Sequence, residues 1–74
     1  MPIHEAGKFT FDQNLKQKTI NLSNTYQNQI VIKVTPVGEN INLYLTDVQN
    51  NYFIIEKNTF EEVVVNYIVL ESDL

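Results

Sequence analysis

Apolar and polar residues alternate along most of this chain, and the alternation has a period of two. Ile41-Asn42-Leu43-Tyr44-Leu45-Thr46 is the cleanest case, with Ile41, Leu43 and Leu45 on one side of an extended backbone. Lys8–Asp12 repeats the pattern through Phe9 and Phe11, and Lys18–Leu22 through Ile20 and Leu22. Gln29–Thr35 places Ile30, Ile32 and Val34 together, and Tyr52–Glu56 places Phe53 and Ile55 together. Between these runs lie residues that break strands for identifiable reasons. Gln13-Asn14, Ser23–Asn28, Asp47–Asn51 and Lys57–Phe60 are polar turn candidates. Thr35–Asn40 contains Pro36, which cannot donate to a ladder, and Gly38, which tolerates positive φ.

The sixth run, Glu61–Leu70, is different. It is nearly continuous and rich in β-branched residues, so it reads as a strand with two apolar faces. Val63, Val65, Tyr67 and Val69 share one face, and Val64, Asn66, Ile68 and Leu70 share the other. One face closes a core. The second is expected to need a further sheet or another subunit, which makes Val64, Asn66, Ile68 and Leu70 the candidate oligomer interface. No segment has a sustained helical period. Short connections argue against parallel crossovers. The expectation is an all-β chain folded as a six-stranded antiparallel β-sandwich or small barrel. Residues 1–6 read as an N-terminal arm contacting a neighbour, Gly7 as a hinge, and residues 7–74 as a single domain.

Size sharpens the assembly argument. A chain of 74 residues buries only about 60% of its unfolded surface. It has no cysteine for a disulfide or thiolate metal site, and a single histidine, His4. Oligomerisation is the stabiliser that remains. Nine acidic residues against five lysines and no arginine argue against nucleic acid as a partner. No apolar run approaches the roughly 18 residues of a membrane span. Met1–Glu5 lacks the basic-then-apolar order of a signal peptide.

Catalytic chemistry is sparse. Ser23 and Ser72 are the only serines, and His4 falls in the expected arm. Two glycines do not make a phosphate loop. Glu61 and Glu62 would point to opposite faces of a strand, so they read as charged gatekeepers beside an aggregation-prone run. Asp12–Asn14 and Asp47–Asn51 offer oxygens to calcium but read first as ordinary turns. No catalytic residue, cofactor or metal is expected. Asn42, Tyr44 and Tyr52 could form a sugar contact from aromatic planes and polar acceptors; the alternative is packing at an interface or on the sheet surface.

The order of segments resembles small β modules at the ends of phage tail fibres and related virion proteins and, more distantly, the H-type lectin domain. The residues that carry the resemblance are Gly7-Lys8-Phe9-Thr10-Phe11, Ile30–Pro36 with its Thr-Pro end, Asn42-Leu43-Tyr44-Leu45, Tyr52-Phe53-Ile54-Ile55 and Val65-Asn66-Tyr67-Ile68-Val69. Together they span residues 7–70. The chain has Tyr52-Phe53 where such modules usually carry Gly-Phe, and Tyr67-Ile68-Val69 where they often carry Trp and a small residue. The resemblance implies a trimeric, non-enzymatic structural protein of a bacteriophage particle, located on the virion and bound to other virion proteins. Capsid decoration and a spike or fibre component are both compatible with it. The opening Met1-Pro2 favours a whole protein, and hence a free-standing surface component. The alternative it implies is a carbohydrate-binding, lectin-like module that attaches to a cell-surface glycan.

Overall fold

The computed structural model describes residues 3–38 and 40–71, and within them the fold is all-β. Six strands follow in order: β1 (Ile3–Phe11), β2 (Gln17–Asn21), β3 (Ile30–Val37), β4 (Leu43–Val48), β5 (Tyr52–Lys57) and β6 (Val63–Glu71). They form two three-stranded antiparallel sheets, ordered β1-β6-β3 and β2-β5-β4. The two sheets pack as an elongated sandwich of 37 × 19 × 17 Å. Except at the β4–β5 hairpin, the chain changes sheet at every connection.

The core follows directly from the alternation. Phe11, Ile30, Ile32, Phe53, Ile55, Val63, Val65 and Val69 are buried, with Tyr26 and Ile41 joining them from the loops. Phe9, Ile20, Leu22, Val34, Leu43, Leu45 and Tyr67 pack against this cluster. β6 and β5 are the central strands, and the aromatic pair Phe53–Tyr67 crosses between them edge to face at 5.4 Å.

Several details differ from what local sequence suggests. Residues 3–6 are the first part of β1: Ile3 pairs with Leu70, Glu5 with Val69 and Ala6 with Ile68, with a bulge at His4. Met1 and Pro2 lie outside the described residues. Gly7 is no hinge. It pairs with Tyr67, and a Cβ at this position would stand 2.5 Å from the tyrosine ring. Glycine is therefore required for the close approach of the ring, a cross-strand arrangement in which an aromatic covers a bare backbone. Pro36 does not end β3, because β3 is an edge strand and its outer side needs no donor. The break comes at Gly38, which has φ +79°. Asp12 forms the first turn as expected, accepting from the Asn14 and Leu15 amides.

The Gly7–Tyr67 contact generates a test. Gly7→Val should cost about 1–3 kcal/mol in urea unfolding, because the new side chain must displace the ring. Adding Tyr67→Ala should remove the overlap and give a coupling energy of about 0.5 kcal/mol or more in the double-mutant cycle. Strict additivity would show that the ring does not depend on the glycine.

Candidate functional site

Among the described residues, two outward faces and a cleft carry many of the polar and apolar groups not consumed by the core. The first face belongs to β1-β6-β3. Val64, Asn66, Ile68 and Leu70 form its central row, paired with Thr10, Lys8, Ala6 and Ile3 of β1 and with Val37, Thr35, Lys33 and Val31 of β3. Val64, Ile68 and Leu70 are half-buried by their neighbours, whereas Val31 and Val37 are 42% and 46% exposed. The four residues expected at an interface thus lie together on one open, largely apolar surface.

The second face belongs to β2-β5-β4 and has two sets of polar contacts, one at the Glu56 rung and one around Asp47 at the Ile54 rung. In the first, Glu56 accepts from Gln17 Nε2 at 3.2 Å and from the Tyr44 hydroxyl at 3.3 Å, linking all three strands. In the second, Asp47 accepts from Tyr52 at 3.2 Å and from Gln49 at 2.8 Å. Proximity to Glu56 pushes the Tyr44 phenol upward; partial burial, then Asp47, does the same for Tyr52. Tyr44 and Tyr52 therefore share a face at different rungs. Asn42 precedes β4, exposed and apart from Tyr52, so the three expected sugar contacts do not form one site.

A cleft of about 230 Å³ opens at the end of the sandwich where β3 begins and β4 ends. Asn28, Gln29, Gln49 and Asn50 surround Ile30 and Val48 there. Four amides over an apolar floor can both donate to and accept from hydroxyl groups. This cleft was not legible in the sequence, because its lining comes from two turns that are distant in the chain. Its loops are held by Tyr26 N–H donating to the Asn50 carbonyl and by Leu22 N–H donating to that of Asn51.

The ends of the sandwich are closed by charged side chains. Lys57, expected in a turn, is the last residue of β5 and is only 1% exposed. Its ammonium donates to the carbonyls of Asp12 at 2.7 Å, Phe11 at 3.4 Å and Glu61, and sits 4.4 Å from the Phe11 ring centre. An amine committed to three carbonyls ties the sheets together; it is not presented to a substrate. At the other end, Glu5 accepts from the Tyr26 hydroxyl and the Ser23 amide, each at 2.9 Å. Tyr26 is buried here, although sequence reading places it in a polar loop.

Among the described residues, no group of three or more His, Asp or Glu side chains is gathered to hold a metal, and no helix is long and apolar enough to cross a membrane. No protein-family model, curated protein or solved structure matches the chain.

Burial lowers the Lys57 amine below its ordinary 10.5, against the opposing pull of the Asp12, Glu61 and Glu62 carboxylates. The unfolded chain then holds that proton to higher pH than the folded one, so stability rises as pH climbs from the folded value towards 10.5. Burial first, and then Glu5, raises Tyr26 and Tyr67 above 10.0, against a lowering of Tyr26 by Asn24. Their contribution is complete below 10.0 and is lost as pH rises through the folded values. Urea titrations across the alkaline range should show a shallower loss for Tyr26→Phe than for wild type. At neutral pH Lys57→Met should cost about 1–3 kcal/mol, since the carbonyls remain buried without their donor. A Lys57→Met chain as stable as wild type would mean that the ammonium does not latch the sheets.

Proposed function

We propose that this chain is a non-enzymatic structural protein of the kind carried on bacteriophage particles, as a capsid decoration or a spike or fibre component, and that it acts by protein–protein assembly. The observation that supports this reading is the open apolar face of β1-β6-β3 with Val64, Ile68 and Leu70 along its centre. A contiguous apolar surface on a small acidic domain favours a protein partner. Assembly also answers the stability problem of so short a chain. The phage setting and a trimeric state rest on the resemblance of residues 7–70 to virion modules. In this reading the chain lies on the virion among copies of itself and other virion proteins.

The test is the mass of the purified chain by light scattering after size exclusion. Wild type should be an oligomer, and Ile68→Lys should give folded monomers or insoluble chain. A soluble, unchanged oligomer carrying Ile68→Lys would remove this face from the interface. A wild type that stays monomeric at every concentration would end the assembly reading.

A second reading, a lectin-like module for a cell-surface glycan, is favoured by the amide-lined cleft beside Tyr52 and Asp47. Its signature would be binding on a broad glycan array that Gln49→Ala abolishes and Ile68→Lys leaves intact. Absence of binding across such an array would count against it.

A further inference from the structure

We propose that copies of this chain associate head to tail, the outer face of β1-β6-β3 of one seated on the outer face of β2-β5-β4 of the next, giving a closed ring or an open filament. The proposal rests on the assembly reading above and specifies which surface meets the apolar face.

The argument begins with where the charges lie. The outward positions of β1, β6 and β3 carry Lys8 and Lys33, with His4 exposed at the bulge. Among the described residues, those positions include no Asp or Glu. The outward positions of β2, β5 and β4 carry Glu56 and Asp47 and, among the described residues, no lysine. Lys18 and Lys57 occupy the inward rows of that sheet, opposite Ile55 and Leu43. In a chain of net charge −4, the described strand positions of one face thus hold no acid, while those of the opposite face hold two carboxylates. The flanking Gln17, Tyr44, Gln49 and Tyr52 hydrogen bonds hold those carboxylates in place.

Geometry matches charge. Lys8 sits at the Asn66 rung and Lys33 at the Ile68 rung, one outward step apart. Glu56 and Asp47 occupy the Glu56 and Ile54 rungs, also one outward step apart. Asn66 and Ile68 lie between the two lysines, with Val64 and Leu70 one outward step to either side; Tyr44 and Ile54 lie between the two carboxylates, with Tyr52 one outward step beyond. Two copies meeting through identical lysine faces would bring two lysines of each together, with no acid among the described strand positions of either face to offset them. Such like-charge juxtaposition disfavours the two-fold arrangement.

Area points the same way. Three strands at about 4.8 Å spacing and eight residues at about 3.3 Å rise make a face of roughly 14 by 26 Å. One such contact falls short of the roughly 800 Å² per partner of a standard stable interface. A protomer that uses both faces doubles its contact, and head-to-tail contacts either close into rings or continue as filaments.

The test uses the full chain in four forms: wild type, Lys8→Glu with Lys33→Glu, Asp47→Lys with Glu56→Lys, and all four reversals together. Folding of each is checked by circular dichroism, and mass is read by light scattering and sedimentation. Each double reversal should raise the dissociation constant by about 100-fold or more, and the fourfold variant should reassemble. Thr19→Lys adds a cation to the acidic face without removing either carboxylate, and should weaken assembly even if the Asp47 and Glu56 reversals unfold the chain. An oligomer sensitive to the lysine reversals alone, and indifferent to Thr19→Lys, would overturn the head-to-tail arrangement while leaving assembly standing. A wild-type monomer at all concentrations would overturn both.

Discussion

The contact on which the rest of the molecule depends is the ring of Tyr67 lying over the bare backbone of Gly7. Tyr67 stands on the central strand of its sheet, with Phe9 at 6.1 Å on the same side and Phe53 at 5.4 Å across the interface. One side chain thus joins β1 and β6 laterally and reaches β5 of the opposing sheet. A core of short strands has few large side chains with which to span two sheets, and most of its inward residues are valine, isoleucine or leucine. The glycine lets the ring lie close enough to do both. Val65 and Val69 then pack on either side of Tyr67 along β6.

With the centre held in this way, the ends become the vulnerable places. Water reaches the open ends of a sandwich first, and three-stranded sheets leave edges on both sides. Here each end carries a charged group that gathers hydrogen bonds from the neighbouring loops. Lys57 gathers carbonyls from the end of β1 and the approach to β6; Glu5 gathers a hydroxyl and an amide from the β2–β3 loop. The two latches stand near opposite ends of β1. They use opposite charges and mostly backbone partners, so neither requires a matched ion on a second side chain. Burying a charge is costly, and saturation by hydrogen bonds makes it tolerable.

Much of this was legible in the sequence. Alternation placed five strands and their inward rows, down to Ile30, Ile32 and Val34 in β3, and the continuous apolar run gave the sixth, although residues 3–6 of β1 read as an arm. Side-chain periodicity reports burial directly, and burial is what decides a strand's faces. Pairing order was not legible, because β6 sits between β1 and β3 through contacts distant in the chain. Lys57 reads as a turn residue until the carbonyls of Phe11, Asp12 and Glu61 converge on it. Tyr26 looks exposed in a run of Ser, Asn and Gln until Glu5 supplies the acceptor for its hydroxyl. Pro36 looks like a terminator until β3 proves to be an edge. The candidate surfaces divide in the same manner. The row Val64, Asn66, Ile68 and Leu70 follows from parity alone, whereas the amide cleft and the separation of charge between faces arise only when two sheets are assembled.

The place of β6 in the sheet also sets an order of events during folding. β1 and β3 are not neighbours; each borders only β6, which comes last of the six strands. Even the shortest span from β1 to its partner runs from Phe11 to Val63, across the whole of the other sheet. While the chain is being synthesised, β2, β4 and β5 can pair locally, but β1 and β3 have no ladder to join. Their apolar rows remain uncovered until the last strand has emerged. Loop closure over such a distance makes the final step slow and leaves hydrophobic strands exposed in the interval. A loss of the last strand would therefore remove a whole sheet at once.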